Sequence, residues 1–351
     1  KGNQALMEKY DLIIIGGGIN GVGIADEAAL HGYRTLLLEQ EDVCSGVSAW
    51  SGRLAHGGLR YLEHYDFGLV RESLRERERL FKNAPHLAAP ISWIMPVYKH
   101  NKRPIWLVEL GMFFFDILSF DKSSPRHKYL SKKKVLERFP NIDQDGLKGG
   151  FLYWDGQIEL AERLCTEVAL DAIANGATIK THARVEKPII ENNKVVGVEY
   201  QDQLTGERKS VYADVVYNVA GPWIDRIFLN EANLPTQPRL NGGTKGSHLI
   251  VEKFPGAPKD VIYYETRADG RLILLVPWLN YYLIGTTDIR WEKDPGEARC
   301  DIGELEYLIG EVNALVPGAN LKYEDVKFTY SGVRPLPYEP EKPESEVTRT
   351  H

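Results

Sequence analysis

The hydrophobic pattern is clearest in "DLIIIGGGINGVGIADEAALHGYRTLLLEQ", residues 11–40. Leu12–Ile15 is an unbroken apolar run, as in a strand buried on both faces. Gly16, Gly17 and Gly18 interrupt it. Ile19–His31 places Ala25, Ala28 and Ala29 at helical spacing, and Gly32 stops the helix. Thr35–Leu38 is a second apolar strand, ending at Glu39. Farther on, Leu160–Ile173 is periodic as a helix and closes at "ANG". Strands are predicted over Thr178–His182, Val185–Glu191, Lys194–Tyr200 and Asp214–Ala220, the last feeding the first sheet. Residues 244–290 alternate between apolar and polar, broken by "ADG" and "LN" turns, which predicts antiparallel strands. A helix near Gly303–Leu315 precedes a final strand in "VKFTYSGVRPL". The fold class that follows is α/β: a Rossmann-like dinucleotide-binding domain interrupted by a mainly antiparallel β domain.

Gly16, Gly18 and Gly21 form G-x-G-x-x-G between the first strand and its helix. Gly16 makes the tight turn, Gly18 admits a pyrophosphate to the backbone, and Gly21 lets helix and strand pack closely. Ile19 and Asn20 open the helix, whose free N–H groups favour phosphate. Glu39 lies eighteen residues past Gly21, where an acid holds a ribose 2′-hydroxyl, and Gln40 follows it. An acid there disfavours a 2′-phosphate, so NADP is not expected. The unit alone leaves FAD and NAD open.

The chain has 351 residues and a formal net charge of -6, which argues against a nucleic-acid partner. Hydrophobic content of 43% and charged content of 26% predict an ordinary folded core. Cys44, Cys165 and Cys300 form no paired spacing, so neither a disulfide framework nor a metal site is expected, and a reducing compartment fits. No secretory leader is read at the start.

Several ordered motifs go beyond a generic dinucleotide fold. They are "SGVSAWSGRLAHGGLRYLEHYDFGLVRESLRER", "YWDGQIELAERL", "AGPWID", "KGSHLIV", "LIGTTD" and "SGVRPL". With the glycine unit, these resemble FAD-dependent oxidoreductases of the D-amino-acid-oxidase type, and within them the aerobic glycerol-3-phosphate dehydrogenases. The similarity runs from about residue 10 to the end, and "HGGLRYLE" is its most specific piece. The chain departs from the family's serine-rich loop at Val47, Ala49, Trp50, Gly52 and Arg53.

The resemblance implies an FAD-binding domain over residues 8–90, 150–236 and 324–351 and a substrate (cap) domain over 91–149 and 237–323. It also implies a C-terminal helical domain beyond "EVTRTH", so this chain is expected to be part of a longer one. Besides the glycine unit, FAD contacts are expected from Ser45, Ser48, Ser51, His56, Gly57, Gly58, Val185, Ala220, Gly221, Trp223, Thr286, Asp288 and Gly332. Gly57 and Gly58 are expected to be small because the flavin ring lies close. Asp155 and Gly156 are expected beside the flavin, with an Asp-Gly turn as the plain alternative. The charged helix "RESLRERERL" reads as solvated support.

The implied reaction is oxidation of sn-glycerol 3-phosphate to dihydroxyacetone phosphate by hydride transfer to flavin. Phosphate needs cations, and arginine's fork suits it. Arg60 is the first candidate, against simple pairing with Glu63 or Glu72. Tyr61 and Arg349 complete the substrate set. Arg334 is implied near the reacting carbon. His248 is the base candidate, because an imidazole titrates near neutrality, against a satisfied structural histidine. Quinone is the implied acceptor, with oxygen as the rival. An amino-acid or amine oxidase, or a catalytically incompetent fragment, are the other readings. A homodimer remains open.

"IWLVELGMFFFDILSF", residues 105–120, is apolar between basic flanks and too short to span a bilayer. It reads either as a segment lying on anionic lipid or as an ordinary buried helix. The expected location is cytoplasmic, with peripheral attachment to the inner face of the membrane if the first of these readings holds.

Overall fold

The computed structural model describes residues 9–228, 239–344 and 347, with only the backbone of Arg60, Glu63, His64 and Phe228. The elements run β1 (Lys9–Ile15), α1 (Ile19–Leu30), β2 (Thr35–Leu38), β3 (Leu54–Ala55), α2 (Phe67–Asn83), β4 (Ala89–Tyr98), α3 (Ile105–Leu118) and β5 (Lys128–Ser131). Next come α4 (Lys132–Arg138), β6 (Leu147–Gln157), α5 (Ala161–Ala174), β7 (Thr178–Lys180), β8 (Ala183–Glu191), β9 (Lys194–Asp202), β10 (Arg208–Asn218) and α6 (Ile224–Phe228). The chain closes with β11 (Thr244–Glu252), β12 (Val261–Glu265), β13 (Leu272–Trp278), β14 (Tyr281–Gly285), β15 (Ile289–Arg290), α7 (Ile302–Leu315) and β16 (Val326–Arg334).

Two sheets organise these elements. The first has the order β7-β2-β1-β10-β9-β8. Its β7, β2, β1 and β10 are parallel, and β9 and β8 add antiparallel strands. Leu12 and Ile14 pack under α1 and α5, while Ile13 and Ile15 pack with Val198, Tyr200 and Val211 on the other face. The unbroken apolar run is therefore buried on both sides, as its pattern requires.

The second sheet has the order β15-β11-β14-β13-β12-β4-β6-β3, with β16 beside β11 and β5 beside β6. One face carries α4 and α7, and the other carries α2 and α3. The architecture is the expected α/β fold with an antiparallel second part. The sheets divide the chain differently from the residue ranges drawn above. Residues 150–157 belong to β6 and 326–334 to β16, both in the second sheet. Alternation makes these segments strands but does not say which neighbour they join. The pairing partner of β16 is β11, in register from Thr244↔Arg334 to Ile250↔Phe328.

Candidate functional site

The glycine turn is built as its spacing requires. Gly16 has φ +109°, and a Cβ there would lie 2.8 Å from the Val219 carbonyl oxygen. A Cβ on Gly21 would lie 1.9 Å from the Gly16 oxygen, so helix and turn touch backbone to backbone. Gly18 caps α1 without a side-chain bond. The Ile19 N–H donates to Ser48 Oγ at 3.0 Å, and Ile19 and Asn20 are exposed. Glu39 accepts from the Gly17 N–H at 2.6 Å and from the Glu41 N–H at 2.9 Å. The acid is thus fixed beside the turn. Gln40 offers its carbonyl to the Gln203 amide at 2.7 Å. Val185 and Ala220 pack together against the cluster around Ile13 and Ile15. Trp223 lies 3.4 Å from where a Gly46 Cβ would stand, which ties the serine loop, with Ser45 in it, to this end.

The "HGG" turn is held from below. The Gly57 N–H donates to both oxygens of Asp155, at 2.9 and 3.0 Å. Arg77 donates to the same carboxylate at 2.8 Å and to Glu78 at 3.1 Å. Glu78 in turn accepts from Ser123. Arg77 is only 2% exposed, so the charged helix α2 is more than solvated support: two of its charges lie in the interior. Asp155 and Gly156 form no turn but lie near the C-terminal end of β6, opposite Ile91 and Pro90. A Cβ on Gly57 would strike Leu74 Cδ2 at 2.3 Å and Phe115 Cζ at 2.9 Å, so the packing of α2 and α3 already demands glycine. Gly58 has φ +70° and faces the Tyr61 ring. Its N–H donates to His56 Nδ1 at 3.2 Å. The Arg60 side chain and all of Arg349 lie outside the described residues.

A second group forms where β11 meets β14 and β16. Arg334 donates from Nη1 to Asp288 at 3.0 Å and to Thr244 at 3.2 Å. Its Nη2 donates to Thr286 Oγ1 at 3.1 Å and to the Thr287 carbonyl at 3.2 Å. Thr286 and Asp288 therefore clasp the arginine. A Cβ on Gly246 would lie 2.2 Å from that guanidinium, so only glycine fits beneath it.

His248 follows two residues later on the same face of β11. Its ring stacks on Tyr330 at 4.8 Å, and Nδ1 is buried without a hydrogen-bond partner in the structure. Burial, then the positive charges of Arg334 and Arg53, hold its pKa down to about 3. The imidazole is neutral. Tyr330 donates to the Ser51 carbonyl at 2.8 Å and faces the Trp50 ring at 5.7 Å. A Cβ on Gly332 would meet Trp50 Cβ at 3.2 Å. The loop that departs from the family pattern is thus anchored by ring contacts to β16.

Sequence reasoning missed several of these positions. Arg77 was masked by a run of charges, and Asp155, expected beside the flavin, was not read as the anchor of the Gly57 N–H. Glu304 and Lys245 back the Arg334 clasp through Thr287 of the "GTTD" motif, and for these two the one local signal is the D-x-x-E of Asp301 and Glu304, a helix cap.

Residues 11–345 match the family described as DAO, FAD dependent oxidoreductase. The chain belongs to this family. The cofactor of these FAD-dependent oxidoreductases fits the residues present: a helix N-terminus with open glycines, backed by a buried acid. A glycerol-3-phosphate dehydrogenase from Synechocystis sp. is 48% identical over 352 residues, covering 97% of this chain and 63% of the relative. The aerobic glycerol-3-phosphate dehydrogenase of Staphylococcus haemolyticus is 37% identical over 344 residues, covering 97% and 61%. The glycerol-3-phosphate dehydrogenase structure from Bacillus halodurans, complexed with FAD, superposes with a TM-score of 0.78 at 30% identity, covering 97% of this chain and 60% of that one. The chain thus spans about three fifths of the length of these relatives.

Proposed function

We propose that this chain carries the catalytic part of an FAD-dependent glycerol-3-phosphate dehydrogenase, which oxidises sn-glycerol 3-phosphate to dihydroxyacetone phosphate. The observation that carries the reading is the pairing of a clasped guanidinium with a neutral, buried imidazole on one face of β11. Oxidation of a secondary alcohol removes a proton from oxygen and a hydride from carbon. FAD, when bound, supplies the two-electron acceptor for the hydride.

His248 takes the hydroxyl proton, since its imidazole is held neutral and can accept one. Arg334 stabilises the negative charge that gathers on the alcohol oxygen. Arg60 and Arg349 bind the phosphate, with Tyr61 beside them. A bound dianion offsets the nearby arginine charges and raises the proton affinity of His248 when the proton must move. The dehydrogenase relatives support this substrate.

Quinone is the proposed electron acceptor, and α3 supports it. Asp116 of this helix turns inward and pairs with Lys122 and His127, while the exposed Glu109 reaches His127 from the rim. Trp106, Phe113 and Ile117 turn outward, 65%, 54% and 48% exposed. Arg126, Lys128 and Lys132–Lys134 are exposed in the segment that follows. Aromatic apolar face plus nearby cations suits anionic lipid, where quinone resides. Among the described residues no helix is long and apolar enough to cross a membrane.

Anaerobic titration of the flavin-loaded protein with glycerol 3-phosphate tests the reading. The flavin absorbance should bleach stoichiometrically. A flavin that dithionite bleaches but glycerol 3-phosphate does not would overturn it, and bleaching by an amino acid instead would favour amine oxidation on the same fold.

A further inference from the structure

Behind the Arg334 clasp lies a closed polar network that no part of the proposed reaction uses. Residues of β11 alternate between two sides: Thr244, Gly246 and His248 face the arginine, while Lys245 and Ser247 face α7. Glu304 of α7 is buried, with both carboxylate oxygens engaged. Its Oε1 accepts from Thr287 Oγ1 at 2.6 Å and from Ser247 Oγ at 2.9 Å. Its Oε2 accepts from Lys245 Nζ at 2.7 Å and from the Asp301 N–H at 3.0 Å. Lys245 is buried too, and donates further to the Arg299 carbonyl at 2.9 Å and to Asp301 at 3.2 Å. Burial alone would lower the Lys245 pKa, but Glu304 and Asp301 overcome this and hold it above its usual value.

Thr287 joins this network to the site. Its hydroxyl donates to Glu304 and accepts from the Ser247 N–H at 2.9 Å, while its own carbonyl accepts from Arg334. One residue therefore has its side chain fixed on the inner side and its backbone fixed on the guanidinium. Its neighbours Thr286 and Asp288 make the other arginine contacts. A turn between two strands is ordinarily free to shift by fractions of an ångström. Here it is pinned from behind by a carboxylate that three further donors hold in place.

We propose that Thr287 and Glu304 are positioning residues for Arg334: the Lys245–Glu304 pair fixes the Thr287 hydroxyl, and through it the turn that aims the guanidinium at the substrate's reacting oxygen. The proposal rests on the placement of Arg334 at the reacting centre. A pair of this kind acts on the chemical step rather than on phosphate affinity, because the phosphate cations belong to other segments.

The test is a mutant cycle on anaerobic flavin reduction by glycerol 3-phosphate in the flavin-loaded protein. Thr287→Val keeps shape and loses both hydroxyl bonds. It should slow reduction about tenfold with substrate affinity nearly unchanged, and Thr287→Ser should restore most of the rate. Arg334→Lys should be slower still, and adding Thr287→Val to it should cost little more, since both act through one group. Losses that multiply in the double variant would overturn the proposal, as would a Thr287→Val enzyme as fast as the parent beside a slow Arg334→Lys enzyme. An Arg334→Lys enzyme of full rate would instead reject the placement of Arg334, and the proposal with it. Glu304→Gln keeps the side-chain volume and carries the same comparison should Thr287→Val not retain flavin.

A second readout needs no turnover: amide hydrogen exchange over residues 285–290 of the flavin-free protein. Exchange should quicken in Thr287→Val and return to parental rates in Thr287→Ser. Unchanged exchange in Thr287→Val would count against the pinning.

Discussion

The His248 imidazole is buried and lies in the field of two guanidiniums, so the folded protein binds a proton there less readily than the unfolded chain does. As pH falls below about 6.5, the unfolded chain takes up a proton first, and the folded state is penalised until its own pKa near 3 is reached. Stability from this group is full above pH 6.5 and declines between those two values. At pH 5 the loss is about 2 kcal/mol, from roughly 1.4 kcal/mol per pH unit. His248→Gln should shrink the stability difference between pH 7 and pH 5 by about that amount in urea unfolding. An equal difference in both proteins would mean that His248 is not kept neutral by the fold. At this scale the residue types were readable from the chain, but their partners were not. His248 stood out as an imidazole opening an alternating strand, while nothing near it in sequence announced Arg53 or Arg334 as neighbours.

Helix α3 shows what an element adds. Val108, Met112 and Phe115 form its inward stripe against the second sheet, with Ile105 and Leu118 packed beside them, while Trp106, Leu107, Leu110, Phe113, Phe114 and Ile117 are exposed. An ordinary buried helix, one of two readings of its sequence, would not leave so many large apolar side chains exposed, and of its two acids Asp116 is the one drawn inward, to His127 and Lys122. Replacing Trp106 and Phe113 together by Ser should abolish sedimentation with vesicles containing phosphatidylglycerol, with little change in thermal stability, since neither ring is in the core. Retention on the vesicles would sink the lipid assignment. The elements themselves were largely legible: an unbroken apolar run, a glycine spacing and alternating stretches each report their own geometry. Which sheet β16 joins, and that Asp155 is paired within a strand instead of turning, were not legible. Both depend on contacts between segments more than sixty residues apart, and local pattern carries no information on those.

The two sheets of the molecule are joined through Arg53. It stands just before β3 with φ 59°, a conformation that residues with a side chain seldom adopt. Its guanidinium makes a two-point pair with Glu162 on α5, one contact at 2.6 Å, and lies 5.5 Å from the Trp278 ring of β13. One side chain thus touches the helical layer of the first sheet and a strand of the second. Arg53→Lys loses both the fork and the flat stacking surface. It should lower global stability by about 1–2 kcal/mol in urea unfolding, a range set by the half-exposed Glu162. Stability equal to the parent would show that the sheets are held by their apolar contacts alone.

The two-sided build of β11 has a bearing on how the molecule assembles. If that strand were to pair one residue out of step, Lys245 and Ser247 would swing toward the arginine, and His248 would turn inward against Glu304. Each charge would then be sealed away from its counter-ion, an arrangement several kcal/mol worse than the correct one. The polar interior thus acts as an inspector of alignment. A fold completed in the correct register has therefore passed a check on the same few residues that are proposed to meet the substrate.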